Sequence, residues 1–207
     1  MPPLKTLLWL LLLLPLLFRY GNAQDFSGGL TGGLSTSQVS GDELAGFNKA
    51  GIFFGGFTSR SFSEKWSAMM QLSFIMKGSK KPTRVDKGDY EFYRLSLWYI
   101  DIPVLIHYKA YFKEYKAFSG EAGFSFGTLV FSEEEDQSGN LPGRPPFKRF
   151  DLSLAGGIHY HISDNLNIYM RMLNSILPIR GNLSYAYQRI TGGQYNTALL
   201  FGAEYFF

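Results

Sequence analysis

The sequence predicts an all-β protein, an eight-stranded antiparallel up-and-down transmembrane β-barrel. Eight segments alternate between apolar and polar residues with a period of two, the pattern of strands that have one apolar face. The connections between these segments alternate between short and long. Aromatic residues make up 17% of the chain, and beyond residue 23 no apolar run approaches the ~20 residues of a membrane-spanning helix.

The segments follow one another through the whole chain after its N-terminal stretch. They are residues 26–39, 48–58, 66–77, 93–111, 116–131, 150–162, 166–173 and 196–207. The third shows the alternation most clearly, because Leu72 stands between Gln71 and Ser73, and Lys77 falls on the polar parity. Almost every charge within the segments lies opposite the apolar face.

The connection lengths indicate how the strands are arranged. The connections after the second, fourth and sixth segments are short or moderate, whereas those after the third, fifth and seventh are long and polar. An up-and-down barrel therefore has its long loops at one end and its short turns, with both termini, at the other, as bacterial outer-membrane barrels do. The alternative is a soluble barrel or sandwich, whose outward face should carry many Lys and Glu. Here the polar parity is rich in Gly and Ser, which suits the narrow interior of an eight-stranded barrel.

The first 23 residues have the layout of a secretory signal peptide. Lys5 precedes an uncharged, Leu-rich run over residues 6–18, and Gly21 and Ala23 supply the small residues of a cleavage site. The alternative, a membrane anchor, would need a longer run than one broken by Pro15. We therefore expect a signal peptide at 1–23 and an outer-membrane β-barrel domain at 24–207.

Composition excludes several other classes. The chain has no Cys, so neither disulfides nor a lipidated cysteine can contribute. Without Lys5 and Arg19 the formal charge falls from +3 to +1, which gives no reason to expect nucleic acid as a partner.

Three stretches resemble the PorT-like outer-membrane β-barrel family. They are GGLTGGLSTSQVSGD at 28–42, NKAGIFFGGF at 48–57 and YIDIPVLIHYKAYF at 99–112, and Thr31 replaces a basic residue common in the family. The resemblance implies an eight-stranded barrel in the outer membrane of a Gram-negative cell. The namesake takes part in protein secretion, but most members have no assigned role. The expected function is a non-enzymatic envelope or interaction component, with secretion or surface assembly as the candidate processes. The alternatives are a narrow pore and, less favoured, an enzyme that acts on lipid or peptide.

Eight ionisable residues fall on the inward parity of the predicted strands. They are Asp101, His107, Glu121, Asp151, His159, His161, Arg171 and Glu204. Buried charges need partners, so we interpret the set as an interior polar network. The alternative is a metal or catalytic site built on His159 and His161 with His107 as third ligand. The favoured interpretation has no catalytic residues, no metal and no cofactor.

Pro103 interrupts the fourth segment. Because proline in a sheet is confined to edges and bulges, we expect a β-bulge at this position. A bulge there would also explain why Leu95 and Leu97 appear on the wrong parity.

The segment after the third strand is strongly basic. Lys77, Lys80, Lys81, Arg84 and Lys87 are candidates to contact lipopolysaccharide phosphates or a partner protein. The alternative is a solvated external loop.

The C-terminal segment carries an outward apolar parity. Leu199, Phe201, Tyr205 and Phe207 share it, while Glu204 faces the interior, towards Arg171. A terminal aromatic on this parity resembles the signal read by the β-barrel assembly machinery. The expected partners are outer-membrane lipid, that machinery and an envelope protein.

Overall fold

The computed structural model describes residues 26–42, 44, 46–83, 88, 90–112, 115–137, 139–140, 146–181 and 192–207. The predicted signal peptide, Arg84 and Lys87 lie outside these residues. The strands are β1 (Phe26–Ser40), β2 (Lys49–Ser61), β3 (Trp66–Lys81), β4 (Tyr93–Phe112), β5 (Tyr115–Asp136), β6 (Gly139–Asn140), β7 (Phe150–His161), β8 (Leu166–Ser175) and β9 (Tyr195–Phe206).

Eight of these strands form a closed antiparallel ring. Each long strand pairs with its neighbours along the chain, and β9 pairs with β1 to close the sheet. The two-residue β6 pairs only with the end of β5. When the paired residues are followed from strand to strand round the ring, a path that starts at Gly29 comes back to β1 at Val39. The return point lies ten residues further along the strand. The predicted fold class is therefore confirmed, and all eight predicted segments coincide with strands.

Two of the short turns share one local structure. In the turn 62–65 between β2 and β3, the backbone N–H groups of Phe62 and Ser63 donate to the carbonyl of Trp66, whose own N–H donates to Ser63 Oγ. The turn 162–165 repeats this arrangement with Ser163 and Leu166. A serine hydroxyl that accepts from a nearby backbone N–H is a recurrent turn motif. We call this end of the barrel the turn end and the opposite end the loop end.

The outer face is apolar and carries two groups of stacked aromatic side chains. Near the loop end, Phe74 lies 5.4 Å from both Phe54 and Trp98, measured between ring centroids. At the turn end Trp66 lies 4.7 Å from Tyr108. Between the two groups the outward side chains are large and exposed: Met70, Leu72, Ile100, Ile102, Val104 and Ile106. An apolar band flanked by aromatic girdles is the surface of a transmembrane barrel.

The inner face is kept narrow by small residues. Gly123 points inward on β5, and a Cβ atom there would lie 2.0 Å from the carbonyl oxygen of Val104 on β4. Only glycine lets the two backbones approach so closely. The remaining interior is filled by polar clusters and by an apolar group of side chains.

The prediction of a bulge at Pro103 is wrong. Pro103 pairs with Ser125 of β5 in regular register, and β3 and β4 keep one register on both sides of the proline. The register shift lies instead opposite Trp98 and Tyr99, where Val130 of β5 is the extra residue. Barrel closure tolerates the missing N–H of one proline, because the pairs before and after it hold the strand in place.

Leu95 and Leu97 also have a different explanation from the predicted one. Both are fully buried, and they share the inward parity of Asp101 without any shift within β4. The inward face of this strand simply changes from polar to apolar near the loop end. Within the described residues, no helix has the length and hydropathy needed to cross a bilayer.

Candidate functional site

The interior polar side chains form two separate clusters. The turn-end cluster consists of Gln71, His107, Glu121, His159, Arg171 and Glu204. The loop-end cluster consists of Lys77, Tyr99, Asp101, Ser125, Asp151, Ser175 and Asn196. Every member of both clusters is buried, and in each a cation lies between two carboxylates.

Arg171 is the centre of the turn-end cluster. Its Nε and Nη2 donate to the two carboxylate oxygens of Glu121 at 2.6 and 2.9 Å, and its Nη1 donates to Gln71 Oε1 at 2.7 Å. Arg171 Nη2 also lies 3.6 Å from Glu204 Oε1. The guanidinium stands 4.7 Å from the centre of the Tyr169 ring. A two-point contact of this kind fixes both position and orientation of the Glu121 carboxylate.

His159 lies between the two carboxylates of the same cluster. Its Nε2 is 2.9 Å from Glu121 Oε2, and its Nδ1 is 3.4 Å from Glu204 Oε2. Its ring stacks on Tyr169 with 5.0 Å between centroids and 19° between planes. His107 approaches from β4, with Nε2 at 3.5 Å from Glu121 Oε2. The β4–β5–β7 side of the barrel therefore brings two imidazoles to one carboxylate.

Lys77 is the centre of the loop-end cluster. Its Nζ lies 2.9 Å from Asp101 Oδ2 and 3.4 Å from Asp151 Oδ2, and 4.8 Å from the centre of the Tyr99 ring. Asp151 also accepts hydrogen bonds from Ser175 Oγ at 2.6 Å and from Asn196 Nδ2 at 3.1 Å. The ammonium and the two carboxylates are thus held by side chains from five strands, β3, β4, β7, β8 and β9.

Apolar side chains surround the loop-end cluster. Val39, Leu95, Leu97, Ile179 and Ala198 are all fully buried there. At the turn end, Met69, Phe206 and Phe207 line the barrel mouth together with polar side chains. A cavity of about 330 Å³ opens at the turn end and is lined by His107, Glu204, Ser67, Ser119, His161 and Asn167, among others.

Seven of the eight predicted interior charges are buried in these clusters: Asp101, His107, Glu121, Asp151, His159, Arg171 and Glu204. The eighth, His161, lies apart at the mouth, where its Nε2 is 3.0 Å from Ser119 Oγ and its Nδ1 is 2.7 Å from Asn167 Oδ1. The proposed pairing of His159 with His161 around a metal is therefore not the arrangement in the fold. Glu204 does face Arg171.

Lys77 requires a correction. The sequence predicts it among the basic residues that contact lipopolysaccharide phosphates or a partner protein, but it is 1% exposed and ion-paired in the interior. Lys77 shares the polar parity of β3 with Gln71, and this parity predicts that its side chain faces the interior. Lys80 and Lys81 lie near the barrel surface and are partly exposed. Of the C-terminal residues, Phe201, Tyr205 and Phe207 are well exposed on the outer face and Leu199 is partly buried.

Sequence reasoning missed the neutral members Gln71, Tyr99 and Asn196 of the clusters, and Tyr169, which packs against the turn-end cluster. Tyr169 donates to or accepts from Thr31 Oγ1 at 2.8 Å while its ring supports His159. Neutral side chains on the inward parity give no charge signal. They could have been found only from their parity and from their neighbours across the ring.

The sequence that forms this ring matches a known protein family. Residues 22–179 match the family described as "Outer membrane protein beta-barrel domain". The chain belongs to this family. No curated protein matches the barrel in sequence.

Solved structures of other outer-membrane proteins are similar to this barrel. Neisserial surface protein A, NspA, matches with a TM-score of 0.50 at 10% identity, over 87% of this chain and 97% of that chain. Ail, the attachment invasion locus protein of Yersinia pestis, matches with a TM-score of 0.48 at 14% identity, over 88% and 99%. OprG of Pseudomonas aeruginosa matches with a TM-score of 0.40 at 12% identity, over 88% and 94%. At these identities the similarity to NspA concerns the fold alone.

Proposed function

We propose that this barrel is a non-enzymatic, non-conducting component of the outer membrane that engages an envelope partner through its loop end. Family membership supports the outer-membrane location. By the rule for such barrels, the short turns face the periplasm and the loop end faces outward. The observation that carries the proposal is the filled interior, which leaves the projecting end of the barrel as the surface available for function.

The buried interior argues against conduction. A water-filled channel would wet side chains along its whole length. Leu97, Tyr99 and Leu105 on β4 are fully buried, and Leu200 on β9 is 3% exposed. Arg171 and Glu121 join β8 to β5 across the interior nearer the turn end. Moving ions through would require these buried contacts to separate.

The β4–β5 hairpin argues for a role in recognition. The strands Tyr93–Phe112 and Tyr115–Asp136 are far longer than the ~9–11 residues needed to cross a bilayer. The projecting part is held by defined contacts: Arg94 Nη2 donates to Glu135 Oε2 at 2.7 Å, and Tyr93 Oη donates to Glu134 Oε1 at 2.7 Å. A preorganised edge loses less conformational entropy when a partner binds.

A second contact ties this hairpin to the last long loop. Arg180 Nη1 donates to Glu134 Oε2 at 2.8 Å, and the guanidinium of Arg180 lies 4.3 Å from the centre of the Phe147 ring. The hairpin, Phe147 and residues 176–181 therefore form one joined surface at the loop end. We propose that this surface binds an envelope protein, in secretion or surface assembly, as the PorT-like resemblance suggests.

Two further partners belong to the same proposal. Lys80 and Lys81 lie beside the projecting hairpin and are partly exposed, with Lys81 paired to the exposed Glu91, and there they can meet lipopolysaccharide phosphates. The outward aromatics Phe201 and Tyr205 of β9, with Phe207 after it, are available to the barrel assembly machinery during insertion.

The proposal is tested by site-specific photo-crosslinking in intact cells. A crosslinking residue is placed at Glu135 or Gln137 on the hairpin, and at Met70 as a matched control that is 53% exposed on the outer band. We expect a discrete protein adduct from the two hairpin positions and only lipid adducts from Met70. Identical adducts from all three positions, or none from the hairpin, would contradict the proposal.

Single-channel recording tests the competing pore function. Purified barrel in a planar bilayer should give no conductance steps, because the interior is closed. Reproducible steps that disappear on heat denaturation would favour the pore instead.

A further inference from the structure

The turn-end cluster contains three metal-ligating side chains from neighbouring strands. His107 on β4, Glu121 on β5 and His159 on β7 each offer one ligand atom, and these atoms lie within 4.8 Å of one another. His107 Nε2 and His159 Nε2 stand 3.5 and 2.9 Å from Glu121 Oε2. Ligands of one tetrahedral ion with bonds of ~2.1 Å are separated by similar distances. Only small side-chain movements are needed to surround an ion.

Both imidazole Nε2 atoms lack a hydrogen bond within the described part of the chain. His107 is 6% exposed and His159 is 1% exposed, so neither nitrogen is satisfied by bulk water. The short contact between His159 Nε2 and Glu121 is therefore not aligned as a hydrogen bond. Both Nε2 atoms contact the same carboxylate oxygen of Glu121, and a metal ion placed between the three groups would give each nitrogen a bond aligned with its lone pair.

The surroundings of His159 favour this use of Nε2. Glu204 Oε2 lies 3.4 Å from His159 Nδ1. There it can accept a hydrogen bond from the Nδ1–H group, so that Nε2 carries no proton and its lone pair is free to bind a metal. A carboxylate behind a ligating imidazole is the usual support for metal-bound histidine. Tyr169 stacks on the same ring and limits its rotation.

The charges of the cluster also allow a divalent ion. Glu121 and Glu204 supply two negative charges, and Arg171 supplies one positive charge. With neutral imidazoles the cluster carries −1, so a divalent ion would leave it at +1. Arg171 holds Glu121 through both of its oxygens, which orients the carboxylate but also weakens its attraction for a cation. We expect moderate affinity for this reason.

An ion can reach the cluster from the turn end. The cavity of about 330 Å³ at the mouth is lined by His107 and Glu204 and is open to the periplasm in the orientation proposed above. Its space also allows a water molecule to complete the coordination. The loop-end cluster offers no imidazole and is surrounded by apolar side chains.

We propose that His107, Glu121 and His159 bind one divalent transition-metal ion inside the barrel, with Glu204 as the positioning residue for His159. Two imidazole nitrogens and one carboxylate oxygen form a donor set of the zinc class. The site does not depend on the proposed role of the loop end.

The test uses the mature barrel folded in detergent micelles and Zn²⁺ as the probe, with Co²⁺ as a spectroscopic substitute. Competition with a chromophoric chelator should show one saturable equivalent of Zn²⁺. His107→Gln and His159→Gln should each weaken binding at least tenfold, and Glu204→Gln about 10–100-fold, as for other groups that support a ligating histidine. His161→Gln is the matched control, because His161 lies on the same face of β7 without joining the cluster.

Two outcomes would overturn the proposal. One is the absence of saturable Zn²⁺ binding by the wild-type barrel. The other is equal affinity in wild type, His107→Gln and His159→Gln, or an equal loss in His161→Gln. If a variant fails to fold, X-ray absorption on the wild-type Zn²⁺ complex still tests the site. The spectrum should show scattering from two imidazoles. A Zn²⁺ shell without imidazole would also reject the site.

Discussion

The two buried charge clusters use the same arrangement in different surroundings. Each places one cation between two carboxylates: Lys77 between Asp101 and Asp151, and Arg171 between Glu121 and Glu204. Apolar side chains surround the first cluster, whereas the second lies next to the cavity at the turn end. The comparison indicates that the loop-end cluster is enclosed by apolar side chains, while the turn-end cluster borders a cavity through His107 and Glu204.

The largest expected effect comes from removing the cation of the loop-end cluster. Lys77→Met leaves Asp101 and Asp151 buried near apolar side chains without their counter-ion. We expect a loss of about 3–5 kcal/mol in the free energy of unfolding. Urea unfolding in lipid vesicles, followed by tryptophan fluorescence, measures it.

Lys80→Met on the same strand is the matched control for that experiment. Lys80 is partly exposed, so its loss should change stability by less than about 1 kcal/mol. An equal loss in the free energy of unfolding for Lys77→Met and Lys80→Met would contradict the burial of the loop-end cluster.

A smaller loss is expected at the turn end. Arg171→Met leaves Glu121 and Glu204 without their guanidinium, but water from the mouth cavity can reach Glu204. We expect a loss of about 3 kcal/mol, at the lower limit of the range for a broken buried ion pair. The same unfolding assay measures it.

Addition of Glu121→Gln to Arg171→Met should restore part of the stability, because it removes one uncompensated charge. Arg60→Met is the control, since Arg60 lies on the exposed surface, 5.4 Å from the centre of the Phe26 ring. A loss larger than that of Lys77→Met would reverse the comparison between the two clusters.

The next effect concerns the width of the interior. Gly123→Ala would place a methyl group 2.0 Å from the Val104 carbonyl oxygen, so the strands must move apart. We expect a loss of about 1–3 kcal/mol. Gly120→Ala on the same strand meets no atom within 4 Å and should be nearly neutral. Unfolding midpoints of the two variants decide this, and equal midpoints would contradict the narrow interior.

The smallest effect is expected at Pro103. Because the register of β4 is regular there, Pro103→Val should change the free energy of unfolding by less than about 1 kcal/mol. Amide hydrogen exchange of β3 and β4 should keep the same protected residues. A changed pattern of protection would mean that the proline does set the register.

Much of the fold could be predicted because strand alternation is a local property. The inward or outward direction of Leu72, Gln71 or Arg171 follows from its parity within one strand. The count and order of strands follow from the connections. The position of the bulge could not be predicted, because Val130 is extra only relative to β4, and a pairing partner is not visible in one strand.

The candidate site was predicted less completely. Parity identifies the inward charges, but the sequence predicts one network in place of two clusters, and the basic run around Lys77 predicts a surface position for it. Their separation into two clusters depends on the stagger of the ring and on the tilt of its strands, which set which side chains share a height. His159 and His161 are close in sequence, yet His159 meets His107 and Glu121 from other strands.

The sequence by itself therefore determined the barrel, its apolar outer band and the residues that face inward, because each depends on a period of two within a strand. Only the tertiary structure decided which inward side chains meet, which carboxylates share Lys77 or Arg171, and which histidines approach Glu121. These contacts join β3, β4, β5, β7, β8 and β9 across the interior, and they form only when the closed ring fixes the stagger of every strand.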